Sequence, residues 1–559
     1  MIRTTLTAIF LGACVAGSRP ARIVIFYSLI GRAMKKYVVN HNDTNSNNIS
    51  HLSGTKRNPS VSCKQTMKGV ISMLNFLKRE TNITLTENGA VTNRSTNNHC
   101  LDFFYQVGAL RNEKEERIIA IFIKAYTEDP SLAMKILFFA RDVRGGLGER
   151  KIFRTCLKWL AFHYPETILK NMNYVSEYGR YDDLLALFDT PCEKAAINLI
   201  SIQLNSDNIA MKTGEENISL IAKWIPSVNT SNEQAIKNGK KIARALKLTD
   251  AEYRKTLSKL RKYIDIIENH LREKDYIFPY EAQPSKAMFK YKKAFIRNDK
   301  ERYMNFLSKV QNGEVKLKTN SLYPYDIIRE ALKSGISEEE RIALDTSWKG
   351  LVSYENHDNA IAVVDGSGSM YGGSGSPKPY EAALSLGIYF AEHNTGLFAN
   401  HFITFSENPC LVEIIGRDIV EKVQYTASFN EVANTNLEAV FQLLIRTAIK
   451  YKILKSEMPK TIYIISDMEF DSCTNNANLS NFENAKMLFQ KEGYELPKVV
   501  FWNVASRNEQ VPVTMHDSGV ALVSGSSPRI FDMVKSGDIN PMKLMIEIIE
   551  TERYAKISA

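Results

Sequence analysis

The chain is 559 residues long, 44% hydrophobic and 24% charged, with a formal net charge of +10. That balance belongs to an ordinary soluble globular protein and excludes a fibrous or wholly disordered chain; the length exceeds what one core fills, so two to four domains are expected. A pI near 8.9 suits a polyanionic partner and equally a solvated basic surface.

Near the N-terminus, Arg3 and the apolar stretch 6–15, with Leu11-Gly12-Ala13-Cys14 inside it, look like a bacterial lipoprotein signal. The next apolar run, 23–30, is too short to span a membrane, and no membrane partner is expected. Residues 40–62 are rich in Asn, Ser and Thr, the composition of a disordered linker. Residues 1–72 therefore read as an atypical extension, disordered or preceding a true start at Met34, Met67 or Met73. Seven cysteines form no Cys-x-x-Cys pair and no zinc spacing, which points to reduced, buried thiols. A cytoplasmic location is expected, with export as a lipoprotein the alternative if the signal-like segment operates.

Residues 73–350 are predicted to form an α-helical domain. Apolar residues recur at helical spacing over 117–126, 131–139, 149–163, 165–177 and 182–188, separated by short turns. Helix pairs of this kind cannot bury their faces singly and must stack into a curved array or bundle. Between two of them lies Arg141-Asp-Val-Arg144-Gly-Gly-Leu-Gly-Glu-Arg150-Lys151. It reads either as a phosphate-contacting loop at a helix N-terminus or as a helix C-cap and turn flanked by surface charges. Over 237–309, Lys and Arg outnumber Asp and Glu by about two to one, with Tyr253, Tyr263, Tyr276, Phe289, Tyr291, Phe295 and Tyr303 interleaved. Such a mixture can hold a nucleic-acid backbone and stack on bases. On helices it equally makes a core-facing aromatic stripe beneath a solvated basic face. The candidate RNA contacts are Arg141, Arg144, Arg150, Lys151, Arg254, Arg261, Lys290 and Arg297.

From 356 to 559 the pattern alternates as a doubly wound, Rossmann-like α/β sheet requires. Strands are predicted at 360–364, 401–405, 462–465, 499–504 and 519–523, and helices at 380–392, 419–423, 437–451, 483–489 and 541–554. The first strand runs into Asp365-Gly366-Ser367-Gly368-Ser369, hard oxygen donors alternating with glycines that let the backbone turn sharply. Alone, this is also an ordinary strand-to-helix turn. Two later features favour a metal loop: Thr435 precedes an amphipathic run and so sits at a helix N-terminus with its hydroxyl free to point outward, and the strand over 461–466 ends at Asp467. Donors of this type suit Mg2+ or Mn2+. Gly372-Gly-Ser-Gly-Ser376 predicts a flexible lip over the cation. Glu469 and Asp471 read as groups behind the ligands or as solvated surface.

The order Asp-x-Ser-x-Ser, then Thr, then Asp, at the ends of parallel strands, resembles the metal-ion-dependent adhesion site (MIDAS) of von Willebrand factor A (vWA) domains. The resemblance implies that Ser367, Ser369 and Thr435 ligate through hydroxyls and Asp365 and Asp467 directly or through water. An open coordination position would then accept an acidic group from a partner. Upstream, Thr86-Glu-Asn-Gly-Ala90, Gly108-Ala-Leu-Arg111, Phe139-Ala-Arg-Asp-Val-Arg-Gly-Gly146, Tyr178-Gly-Arg-Tyr-Asp182 and Ala222-Lys-Trp-Ile-Pro-Ser227 resemble a domain-of-unknown-function family of the DUF2828 type. Its members pair a helical region with a C-terminal vWA-like domain. That architecture is similar to the Ro autoantigen, or TROVE, family, which binds small structured and misfolded RNAs.

The implied function is that of a non-catalytic, Ro-like RNA-associated protein whose cation site engages an acidic partner. Alternatives are a protein-interaction scaffold without RNA and a metal-dependent hydrolase using Asp365 and Asp467. Catalysis is the weaker expectation, because a phosphoaspartyl hydrolase needs a second acid where Ser367 stands and no Ser-His-Asp arrangement is signalled.

Overall fold

The computed structural model describes residues 73–559 except 75, 355–358, 374, 430–434, 474–475 and 535–538. The expectations for the N-terminal extension lie outside the described residues. The chain divides into two units, Met1–Phe76 and Leu77–Ala559, and every element labelled here belongs to the second.

Caps and apolar spacing account for the helical part. Asn98 and Asp129 accept from the amides of Leu101 and Leu132, opening α1 (His99–Val107) and, with Pro130 in its first turn, α3 (Pro130–Arg141), on either side of α2 (Glu115–Glu128). Next, α4 (Arg150–His163) buries Ile152, Phe153, Cys156, Leu157 and Leu160 on one face. The longer helices that follow are α5 (Glu193–Thr213), α6 (Glu233–Ala245), α7 (Asp250–Tyr263), α8 (Ser285–Asn298), α9 (Lys300–Gln311), α10 (Pro324–Ala331) and α11 (Glu338–Lys349).

Two predicted helices of the helical region differ, and the closing helix expected over 541–554 stops at Ile549, with a 3-10 turn at Glu552–Tyr554. The stretch 165–177 breaks into Pro165–Asn171, a 3-10 turn and Val175–Tyr178, and 182–188 is a 3-10 helix, Tyr181–Leu187. That tight turn delivers Asp183, fully buried, to Arg141 Nε at 2.8 Å and Arg154 Nε at 2.6 Å. A hairpin, β1 (Ile83–Leu85) antiparallel to β2 (Val91–Asn93), is an addition to the sequence reading. Three-residue strands are too short for alternation to reveal.

Six further strands, β3 (Ala360–Asp365), β4 (His401–Phe405), β5 (Leu411–Glu413), β6 (Thr461–Ser466), β7 (Lys498–Asn503) and β8 (Val520–Ser524), form one sheet in the order β5-β4-β3-β6-β7-β8. Neighbours are parallel except the edge strand β5, which the sequence reading also lacked. Counted from β3 the order is 3-2-1-4-5-6, a doubly wound sheet whose direction reverses between β3 and β6. Side chains alternate between two cores: Ala362, Val364, Tyr463, Ile465 and Trp502 face one, Ile361, Val363, Ile462, Ile464 and Phe501 the other. α12 (Pro379–His393), α13 (Ile419–Ala427) and α16 (Pro541–Ile549) feed the first core, α14 (Leu437–Tyr451) and α15 (Asn481–Lys491) the second.

The helical and sheet regions, expected as domains 73–350 and 356–559, share these cores. Leu101, Phe103 and Phe104 of α1 join the first, and Tyr105 joins the second. α1 ends against β8, where the Gly108 amide donates to Ser524 Oγ at 2.9 Å and a Cβ on Gly108 would lie 2.5 Å from the Ser524 carbonyl oxygen. Arg341 of α11 pairs with Asp418 before α13 at 2.6 Å. The chain's end returns to the helices: Arg553 and Tyr554 both reach the buried Asp142, at 2.7 and 3.0 Å, and Asn171 Nδ2 donates to the Ser558 carbonyl at 2.6 Å.

Two outcomes follow from these buried charges. Asp183→Ala strands Arg141 in the core and should cost about 3–5 kcal/mol, read as a lower urea midpoint; an unchanged midpoint would show the pair to be dispensable. Burial works to raise the Asp142 carboxyl, but hydrogen bonds from Arg553 and from the amides of Arg144 and Gly145 outweigh it and hold it below the usual carboxylate range. Its stabilisation is therefore present above the unfolded value of about 4 and is lost as pH falls through the lower folded value. In urea melts taken from pH 7 to pH 2, wild type should lose its advantage over Asp142→Asn below that point, and a constant gap would contradict the linkage.

Candidate metal centre

Because β3 and β6 are neighbours where the strand order reverses, their carboxyl ends open onto one crevice. The last residues of the two strands meet there: Ser466 Oγ donates to Asp365 Oδ2 at 2.5 Å. Asp365 Oδ1 accepts from the Ser367 amide at 2.8 Å, which folds the loop back, and the Ser367 and Ser369 hydroxyls lie 3.1 Å apart. Gly387 lets α12 press on the strand behind this loop, since a Cβ there would fall 2.3 Å from Val364 Cγ2. Asp467, buried at the end of β6, accepts from the Glu469 amide at 3.3 Å. Between them Met468 holds φ +69°, a left-handed conformation uncommon for a residue with a side chain.

Asp365 is fully buried. Burial first, and then the charge of Asp467, push its carboxyl well above the ordinary range, against the hydrogen bonds from Ser466 and Ser367. The donor set is therefore two carboxylates and two hydroxyls, all hard oxygens, which fits a small divalent cation such as Mg2+ or Mn2+. No cluster of three or more His, Cys, Asp or Glu suited to a metal occurs among the described residues, so any cation held here depends on the serine hydroxyls.

Thr435 differs from its expected state. It lies just before α14, whose cap is Asn436, but its hydroxyl is buried and engaged. It donates to the Glu469 carbonyl at 2.7 Å and accepts from Asn88 Nδ2 at 3.1 Å. Asn434 lies outside the described residues. Glu469 is not solvated surface: it is buried and accepts from the Glu87 amide, Asn508 Nδ2 and Gln510 Nε2 at 2.7–2.8 Å. The expected lip is tied to the helical region, with Ser376 Oγ accepting from Arg329 and Gly375 packed where a Cβ would overlap Asn112.

Four residues at this site were absent from the sequence reading of it. Ser466 is simply the residue before Asp467. Glu87 and Asn88 form the tip of the β1–β2 hairpin, inside a motif noted only for its family resemblance. Arg507, which carried no signal, places Nε 3.2 Å from Asp467 Oδ2 and a terminal nitrogen 2.8 Å from Glu87 Oε2.

The candidate RNA contacts separate by burial. Arg141 is buried against Asp183, and Arg261 spends its guanidinium on the carbonyls of Ala222 and Ile225 at 2.7 and 3.0 Å; neither is available to a phosphate. Lys151 is half-buried on the Glu113 carbonyl, and Arg144 donates to the Glu177 carbonyl while remaining exposed. Arg150, Arg254, Lys290 and Arg297 are exposed. The glycine loop is a turn, not a phosphate cradle: the amides of Val143, Arg144, Gly146, Leu147 and Glu149 are all bonded within the chain. Of the interleaved aromatics, Tyr253, Phe295 and Tyr303 are core residues, Tyr276, Phe289 and Tyr291 are half-buried, and Tyr263 is the exposed one.

Residues 86–198 and 230–357 match the family described as domain of unknown function DUF2828, and residues 359–550 match domain of unknown function DUF7788. The uncharacterized protein L728 of Acanthamoeba polyphaga mimivirus is 30% identical over 510 residues, covering 84% of this chain and 87% of that protein. Among solved structures, the RO (RSR) protein of Deinococcus radiodurans aligns over 80% of this chain and 93% of its own at 11% identity; its TM-score of 0.32 is too low to carry an argument. By its identity to protein L728 over most of both lengths, the chain belongs to one family with that protein, and its two parts match DUF2828 and DUF7788.

Proposed function

We propose that this is a non-catalytic binding protein whose sheet domain, read as vWA-like, holds a divalent cation at the β3–β6 switch point and offers it to an acidic group of a partner. The observation that carries the reading is the convergence of Asp365, Ser367 and Ser369 with Asp467 at the ends of adjacent parallel strands. Ser367 and Ser369 would hold the ion through hydroxyls, Asp365 and Asp467 through carboxylate or a shared water, and Thr435 once its hydroxyl turns from Asn88. When bound, the ion supplies positive charge for a carboxylate ligand. The donor set supplies ligand positions and charge for a cation, and binding is the reading adopted over hydrolysis.

RNA association is the second part of the reading, and one surface favours it. Along α7, Arg254, Lys255, Lys259 and Lys262 are all exposed, and Lys255, Lys259 and Lys262 fall on one helix face. Since most of the neighbouring aromatics face inward, the contacts would be to phosphates, tolerant of sequence and steeply salt-dependent.

Each part has a direct check. Mg2+ at about a hundred times its Kd should stabilise the wild-type fold by about 2.7 kcal/mol, and Asp365→Ala and Ser369→Ala should abolish that gain; a wild type indifferent to Mg2+ and Mn2+ removes the cation reading. RNA retained on purification from native cells should be lost in Lys255→Glu/Lys259→Glu, and removing two phosphate contacts should flatten the log–log salt slope by about 1 to 2. RNA-free wild-type protein would leave the scaffold reading in place.

A further inference from the structure

The tip of the β1–β2 hairpin is bound at the candidate cation site by two polar bridges. Asn88 Nδ2 points its hydrogens at Thr435 Oγ1 (3.1 Å) and at the Glu469 carbonyl (2.7 Å). Glu87 holds Arg507 at 2.8 Å, and Arg507 in turn lies on Asp467; Asn508 Nδ2 also donates to Glu87 Oε1 at 2.8 Å. One bridge thus faces the second-loop hydroxyl and the other supplies a positive charge to a ligand carboxylate. They reach the tip from the Thr435 segment before α14 and from the loops after β6 and β7.

Four further contacts anchor the same hairpin without touching the ligands. Thr86 Oγ1 donates to the Phe470 carbonyl at 2.6 Å, and backbone bridges join Gly89 to Asp471, Val91 to Ser480 and Asn93 to Val511. The hairpin would therefore stay on the sheet if its tip were altered.

We infer that Glu87 and Asn88 form a latch on the cation site, so that docking of the hairpin tip and loading of the cation oppose one another; this rests on the cation reading given above. A divalent ion on Asp467 puts like charge beside Arg507, which displaces the guanidinium. Coordination through Thr435 Oγ1 turns its lone pair from the Asn88 amide, whose hydrogens would face the ion. Because Arg507 is tied to Glu87, both losses fall on the same two-residue tip, and the coupling is reciprocal. Through Arg507 the latch ties the Glu87 carboxylate to Asp467, so the helical region holds the site in cis.

The test uses the full chain and Mn2+ alone as the probe, with affinity read by electron paramagnetic resonance and Asp365→Ala as the control for site-specific binding. Glu87→Gln/Asn88→Ala should bind Mn2+ about fivefold or more tightly than wild type. In wild type, Mn2+ should speed amide hydrogen exchange across residues 86–90. Binding by the double variant alone is the latch in its strongest form. Equal affinity, or slower exchange on adding Mn2+, overturns the latch and leaves the cation reading standing. Absence of site-specific binding in both proteins overturns the cation reading and the latch with it. Arg507→Gln, which removes the competing charge together with its ion pair to Glu87 while leaving the hairpin's own residues unchanged, should also tighten Mn2+ binding, and weaker binding in that variant counts against the latch.

Discussion

A carboxyl group fully buried where the strand order reverses is the constraint from which the rest of this structure follows. Asp365 stands fully buried at the end of β3 and takes a hydroxyl from the end of β6. Burying a charge without compensation is costly, so the surrounding groups arrange themselves as donors: the Ser367 amide on one oxygen, Ser466 on the other, and the paired serine hydroxyls beside them. The left-handed backbone at Met468 is part of the same arrangement, for it turns the loop that carries Asp467 toward Glu469 and Thr435.

The helical region does more than stand beside this sheet. Its first helix ends flush on β8, where Gly108 permits backbone contact that no side chain would allow. Its hairpin lies across the loops after β6 and β7, and its glycine turn closes on Asp142, which the end of the chain then seizes. Two family domains that match separate stretches of sequence therefore form a single packed body.

How much of this the sequence disclosed depends on the reach of each feature. Buried parallel strands are apolar runs ending in chemistry, so β4 lies where its pattern placed it, and the loop that carries Asp365, Ser367 and Ser369 follows the strand adjacent to the one that ends at Asp467. The hairpin and β5 are three-residue strands whose partners, not their own composition, define them. The engaged state of Thr435 rests on Asn88, hundreds of positions earlier, and no local rule connects the two. Arg141 and Arg144 are alike on paper. Only the 3-10 turn that brings Asp183 beneath Arg141 separates a core ion pair from a surface cation.

The return of the last residues to Asp142 and Asn171 carries a consequence for biosynthesis. As the polypeptide leaves the ribosome, α1 to α3 emerge early with apolar faces shaped to meet β8, α16 and the tail. Those partners are translated hundreds of codons later, so the N-terminal helices wait, incompletely covered, until residues 520–559 have emerged. Such a chain is vulnerable to premature association during that interval. A chain truncated before β8 would present a helical half with an open seam.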